Sequence, residues 1–220
     1  MKKVNILKPV LVSNKERASQ NKKFFNDLGA FVINIIASPG AGKTSVIERI
    51  IQYFEAEKIL VIEGDIRGQT DSERLRKTHA DVVQINTLTE CHLDAFMIAQ
   101  VLPEITQPYD IILVENVGNL VCPAEFEIGE DFKLAILSTP EGDDKPIKYP
   151  LLFHLAAVVV VNKSDLLPHV DFNVTHAKDN IEKENKRARV FTVSAKTGEG
   201  FDPLCTFLAK KVDGKKKNKN

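Results

Sequence analysis

Five short runs are apolar at consecutive rather than alternate positions: FVINIIA (31–37), ILVIEG (59–64), DIILVEN (110–116), LAILS (134–138) and AAVVVVN (156–162). A strand wetted on one face alternates polar and apolar side chains, whereas a strand covered on both faces has no reason to. These runs therefore predict fully buried strands, and DVVQIN (81–86) and ARVFTVS (188–194) are candidates for two more. Between them the apolar positions recur at helical spacing over 43–56, 71–79, 91–102, 174–186 and 201–211. An amphipathic stretch near 15–28 predicts a further helix packed outside the sheet. Alternation of strand and helix implies right-handed crossovers and an α/β fold with a mostly parallel sheet, helices lying on both faces.

The chain has 220 residues, no internal repeat and no linker-like stretch. It reads as a short N-terminal segment (1–14), one domain (15–212) and a basic, flexible tail (213–220). Thirty basic and thirty acidic side chains cancel. No global field draws the chain to nucleic acid or membrane, so neither is expected as a partner. Three cysteines, with no signal peptide or membrane-spanning run, point to a reducing cytoplasm. There a cysteine is more often free, metal-binding or catalytic than disulfide-bonded.

The first strand runs into ASPGAGKTS (37–45), which opens the first long helix. Ala37 stands where the usual G-x-x-x-x-G-K-[ST] loop has its first glycine, and Gly42, Lys43 and Thr44 complete the pattern. Gly40 and Gly42 let the backbone curl, so that N–H groups from Pro39-Gly40-Ala41-Gly42 through Ser45 (proline excepted) turn toward phosphate oxygens. The helix dipole adds to their field. Lys43 is placed to reach the β- and γ-phosphates, and the Thr44 hydroxyl to bind magnesium. The expected fold is thus a P-loop NTPase binding a nucleoside triphosphate.

VVVVNKSD (158–165) ends a buried strand in Asn162-Lys163-x-Asp165. An aspartate accepting from the N1–H and exocyclic amine of guanine would be left unpaired by adenine, a costly mismatch. Ser194-Ala195-Lys196, in VSAKTGEG (193–200), resembles the last GTPase motif, in which the Ala195 N–H would donate to guanine O6. Together these select GTP, with GDP as product. Asp65, beyond the strand ending in VIEGD, is a candidate to hold magnesium or orient the attacking water. Asp71, in TDSERL, reads as a helix cap. In ENVG (115–118), Glu115 can serve magnesium and the Gly118 N–H can contact the γ-phosphate, sensing its presence.

Cys91 and His92, in TLTECHLDAFMI (87–98), sit at an expected helix start, where a thiol pKa falls and thiolate is favoured. Cys122 lies just past Gly118. Two thiolates and an imidazole suit zinc or nickel rather than magnesium. The alternative is a buried cysteine with a chance histidine neighbour. Cys205, in FDPLCTFL, fits an apolar helix face and reads as core.

The ordered set ASPGAGKT, EGD, TECHLDA, ENVGNLVCPA, STPEGDDKP and NKSD resembles the HypB family of hydrogenase nickel-incorporation GTPases, over about residues 15–210. The resemblance implies a SIMIBI-class G domain, dimerising around nucleotide, with Cys91, His92 and Cys122 as its nickel or zinc ligands. It implies a metallochaperone acting with a HypA-like nickel chaperone on a hydrogenase large-subunit precursor, in some organisms also on urease. GTP and metal together would promote the homodimer. An N-terminal C-x-x-C-G-C motif and a histidine-rich tract, present in some members, are missing here, so nickel storage is not implied. A MeaB-like GTPase chaperone of a cobalamin enzyme would share the phosphate loop and NKxD without needing these three ligands. A metabolic P-loop kinase would not need the guanine motifs.

Overall fold

The computed structural model describes residues 7–217 apart from 56 and 66–69, and the side chains of 7–9, 65 and 70–72 also fall outside the description. Seven strands form one sheet: β1 (Phe31–Ala37), β2 (Ile59–Asp65), β3 (Asp81–Asn86), β4 (Ile111–Glu115), β5 (Phe132–Ser138), β6 (Ala156–Asn162) and β7 (Arg189–Thr192). Their order is β3-β2-β4-β1-β5-β6-β7, and every neighbouring pair is parallel. All seven expected strands are present. The parallel arrangement places every strand-to-helix loop at the carboxyl edge, where ligand sites of open α/β sheets form.

The helices are α1 (Leu7–Leu28), α2 (Lys43–Tyr53), α3 (Thr70–Leu75), α4 (Ala95–Val101), α5 (Cys122–Glu125), α6 (Lys145–Lys148), α7 (Pro150–Leu155), α8 (Val174–Glu184) and α9 (Phe201–Lys217). On one face of the sheet Ile33, Ile35, Val61 and Leu113 pack against Ile47 and Ile50 of α2 and Leu204 and Leu208 of α9. On the other face Phe25 of α1 and Ile98 of α4 cover Val32, Ile62 and Val114. Ala177 and Ile181 of α8, with Leu152 and Phe153 of α7, cover Val159 and Val161. Both faces of β1 and β4 are closed, which is why their sequences lack alternation.

Both chain ends differ from the sequence reading. Helix α1 begins at Leu7 rather than near residue 15, and Asn14 and Asn21 are buried where it crosses α4 and the loop before β5. Residues 213–217, read as flexible tail, are the last turn of α9. Lys215 Nζ lies 2.5 Å from Asp131 Oδ2, and Lys216 Nζ 2.9 Å from Asp110 Oδ1, so lysines that look solvated in sequence are tied to the opposite edge of the sheet. Among the described residues no helix is long and apolar enough to cross a membrane.

Candidate nucleotide and metal site

The phosphate loop links β1 to α2. Gly40 and Gly42 have φ of +73° and +95°, left-handed values that explain why glycine stands at both positions. Gly42 caps α2 with no side-chain hydrogen bond, which leaves the first-turn N–H groups aimed at the cleft. A Cβ on Gly42 would lie 2.6 Å from Asn162 Nδ2. That close approach has a purpose: Asn162 Nδ2 donates to the Ala41 carbonyl (3.0 Å) and Lys163 Nζ to the Gly40 carbonyl (2.7 Å). The expected base-reading motif thus braces the expected phosphate loop, with Lys163 itself left-handed at φ +63°.

A cleft of about 580 Å³ is lined by Gly42, Ser45, Arg49, Asn162, Asp165 and Lys196, among others. It joins phosphate-loop and base-motif residues as one nucleotide would require. Asp165 Oδ1 accepts from Ser194 Oγ (2.6 Å), and the Ala195 N–H is held by Asn162 Oδ1 (3.1 Å). Donation of that N–H to a base oxygen therefore requires exchange of the Asn162 bond. Arg49, which sequence reasoning missed, donates from Nε to the Ala195 carbonyl (2.9 Å) and from Nη2 to the Lys196 carbonyl (3.0 Å), fixing the SAK loop on α2. No local motif signals this pair, because it joins residues far apart in the chain.

Thr44 Oγ1 donates to Glu115 Oε1 (2.9 Å), and both residues are almost completely buried. A hydroxyl and a carboxylate side by side at a phosphate loop are the hard oxygen donors that magnesium takes. Bound there, magnesium would neutralise charge on the transferring phosphate. Glu63 of β2 is in register with Glu115 and equally buried, a second carboxylate at this point that the sequence does not single out. Only its position beside Glu115 gives it meaning. Asp65 is the last residue of β2, but its side chain lies outside the described residues, as does that of Asp71. Gly118 packs directly on the phosphate loop: a Cβ there would come 3.1 Å from Pro39 Cα and Cγ.

On the opposite side of the β4 tip, Cys91, His92 and Cys122 converge. Their ligand atoms all lie within 4.8 Å of one another. Cys91 Sγ is 3.0 Å from Cys122 Sγ and 3.8 Å from His92 Nδ1. The local setting differs from the expected helix start. Helix α4 begins at Ala95, with Asp94 as N-cap accepting from the Met97 N–H, so Cys91 and His92 belong to the preceding turn. Freed from helical geometry, sequence neighbours can face one point. The expected depression of the thiol pKa does not follow either: the hydrogen bond to Cys122 and burial push the Cys91 thiol up. Burial lowers the His92 pKa against the pull of Asp94, Glu90 and Glu125, keeping the imidazole neutral as a ligand must be. The His92 ring packs against Phe126 with centroids 4.1 Å apart and the planes tilted by 39°. Cys205 is fully buried, and burial pushes its thiol up to about 12, consistent with a core residue.

A parallel sheet with a phosphate loop after its central strand and NKSD at the tip of β6 defines a P-loop GTPase. The model of the CobW/HypB/UreG nucleotide-binding domain matches residues 31–192. The chain belongs to the HypB family of hydrogenase maturation factors. It is 42% identical over 207 residues to the hydrogenase maturation factor HypB of Rhizobium leguminosarum bv. viciae, covering 93% of this chain and 69% of that protein. It is 37% identical to the probable HypB of Methanocaldococcus jannaschii, covering 95% and 96%. Its fold matches the crystal structure of HypB from Helicobacter pylori in complex with nickel with a TM-score of 0.87, at 34% identity, covering 92% of this chain and 96% of that one.

Proposed function

We propose that this chain is a nucleotide-switched metallochaperone that binds nickel through Cys91, His92 and Cys122 and releases it during hydrogenase maturation. The observation that carries the reading is the shared segment 115–122. Its first residue, Glu115, is bonded to Thr44 at the phosphate loop, and its last, Cys122, meets the other two soft ligands. The Helicobacter pylori relative crystallised in complex with nickel, which supports nickel as the cargo.

In this reading Lys43 and the first turn of α2 hold the phosphates, and Asp165 reads the base. Thr44 and Glu115 hold magnesium, with Asp65 beside them. The Gly118 N–H meets the γ-phosphate. Loss of that phosphate releases the segment, so Cys122 moves relative to Cys91 and His92 and the grip on the metal changes. Three protein ligands leave a coordination position open, through which cargo can pass to a recipient. A second copy of the chain, paired about the same segment, would fill that position while GTP is bound. A HypA-like chaperone and a hydrogenase large-subunit precursor are the expected partners, and the cytoplasm the place of action.

The test is titration of nickel into the protein loaded with GDP or with a non-hydrolysable GTP analogue, followed by solution molar mass. Affinities that differ between the two states, with a larger mass in the GTP-like, metal-loaded state, support the reading. Equal affinities remove the switch.

A further inference from the structure

The β4 tip carries two adjacent side chains that serve opposite faces, because consecutive residues of an extended chain point to opposite sides of a sheet. Glu115 goes to the α2 side, toward Thr44. The next residue, Asn116, is fully buried and goes to the other side. Its Oδ1 accepts from the N–H of Leu93 (2.9 Å), the residue after His92, and from its neighbour Val117 (3.0 Å). Its Nδ2 donates to Asn34 Oδ1 in β1 (3.1 Å). Three residues on, Asn119 Nδ2 reaches the Cys91 carbonyl (3.4 Å), while its Oδ1 accepts from the Val121 N–H (2.9 Å), one residue before Cys122.

Two amide side chains therefore bridge the turn holding Cys91 and His92 to the segment holding Gly118 and Cys122. Neither is a metal ligand, and neither touches the nucleotide cleft. We propose that Asn116 and Asn119 are the positioning residues that transmit nucleotide state to the metal site. This rests on the nucleotide-coupled metal binding proposed above. A shift of residues 116–119 must either carry the Cys91–Leu93 turn with it or break hydrogen bonds that water cannot replace at Asn116. An abandoned buried hydrogen bond is worth about a five- to 150-fold factor, the size of ordinary coupling between sites. These bridges are therefore strong enough to carry the whole effect.

The experiment compares nickel affinity in the GDP state with that in the GTP-analogue state, for wild type, Asn116→Ala and Asn119→Ala, each full-length and checked by circular dichroism. In the wild type the ratio of the two affinities should fall in the range of about five- to 150-fold. Asn116→Ala should bring it close to one and Asn119→Ala should reduce it, while GDP affinity holds in both. A residue with a merely structural role would weaken all the affinities together and leave the ratio alone. An unchanged ratio in both variants, beside a coupled wild type, overturns the proposal and spares the metallochaperone reading. A wild-type ratio of one overturns both. Should Asn116→Ala fail to fold, the partly exposed Asn119 carries the test, and an unchanged ratio there overturns the proposal.

Discussion

Lys133→Met should be among the most damaging single changes outside the nucleotide and metal residues. Lys133 and Glu130 are each 6% exposed at their side chains and 2.6 Å apart. The ammonium also donates to the carbonyl of Phe126 (3.0 Å), whose ring packs against His92. Burial pushes the Glu130 carboxyl up, but Lys133 and the Ile128 N–H outweigh it and hold it below the usual range. Methionine keeps the volume and removes the charge, so the buried carboxylate is left with the Ile128 N–H (2.7 Å) and the Asn34 amide (3.4 Å) but no countercharge. Breaking such a pair costs about 3 to 5 kcal/mol. For a domain of this size each kcal/mol shifts Tm by about 2 to 4 °C, so the drop should be about 6 to 20 °C.

The pH dependence gives a second handle. In the wild type the depressed Glu130 pKa contributes stability that is present above the unfolded value of about 4.3 and lost as pH falls through the folded one. Without Lys133, burial raises the Glu130 pKa, the folded state takes up a proton, and the deficit of the variant should shrink as pH falls toward about 4. Glu130→Gln/Lys133→Met removes both charges and keeps an amide oxygen for the Ile128 N–H, so it should recover most of the loss. Denaturant unfolding of the wild type, Lys133→Met and the double variant at neutral and acid pH measures all of this. A loss under about 1 kcal/mol for Lys133→Met, or a double variant no better than the single, would refute the reasoning.

Other perturbations address the site itself. Cys91→Ala, His92→Ala and Cys122→Ala should each remove most nickel or zinc binding, and Cys205→Ala should not, as read by metal titration. Because the Cys91 thiol is raised in the metal-free protein, metal uptake should release protons and apparent affinity should climb with pH; pH-independent affinity between about 6 and 8 would count against thiolate ligation. Asp165→Asn should shift preference from GTP toward xanthosine triphosphate in a turnover assay, and equal use of ATP and GTP by the wild type would sink the guanine assignment. Asp65→Ala should cut hydrolysis on the order of a hundredfold or more with little change in GDP binding, and untouched turnover would reduce Asp65 to a structural role.

What was legible in the chain follows from how local each signal is. Val158–Val161 and Ile111–Val114 announce buried strands because two covered faces write one continuous apolar run. The phosphate loop and NKSD are local motifs, and both fall where strands end. The short helices α5, α6 and α7 span too few residues to show a helical period, and Pro123, Pro146 and Pro150 stand in their first turns, where proline is at home. The α9 extension was hidden because its lysines find Asp131 and Asp110, remote in sequence. Cys91, His92 and Cys122 stand out in the sequence as two thiols and an imidazole, and the resemblance implies them as one ligand set, but their seat in a turn ahead of α4 rather than in its first turn does not show there. Asp94 is the cap of α4, three residues past the expected helix start at Cys91. Glu63 and Asn116 acquire their roles only through register with β4 and contact with Leu93.

The position of β1 in the sheet has a consequence for how the protein is made. Among the described strands the one that carries the phosphate loop is synthesised first, yet its two neighbours are β4 and β5, paired as Phe31 with Ile111 and Ile33 with Phe132. About eighty residues must follow Phe31 from the ribosome before β1 finds its first partner, some 4 to 16 s at ordinary elongation rates. Throughout that interval a seven-residue apolar strand has both edges open, the condition under which nascent chains aggregate. Nucleotide cannot rescue the chain early, because Glu115 and Asn162 arrive later still. β1 thus waits unpaired until β4 has emerged, and the long sequence separation of the parallel pairings in the sheet deepens that delay.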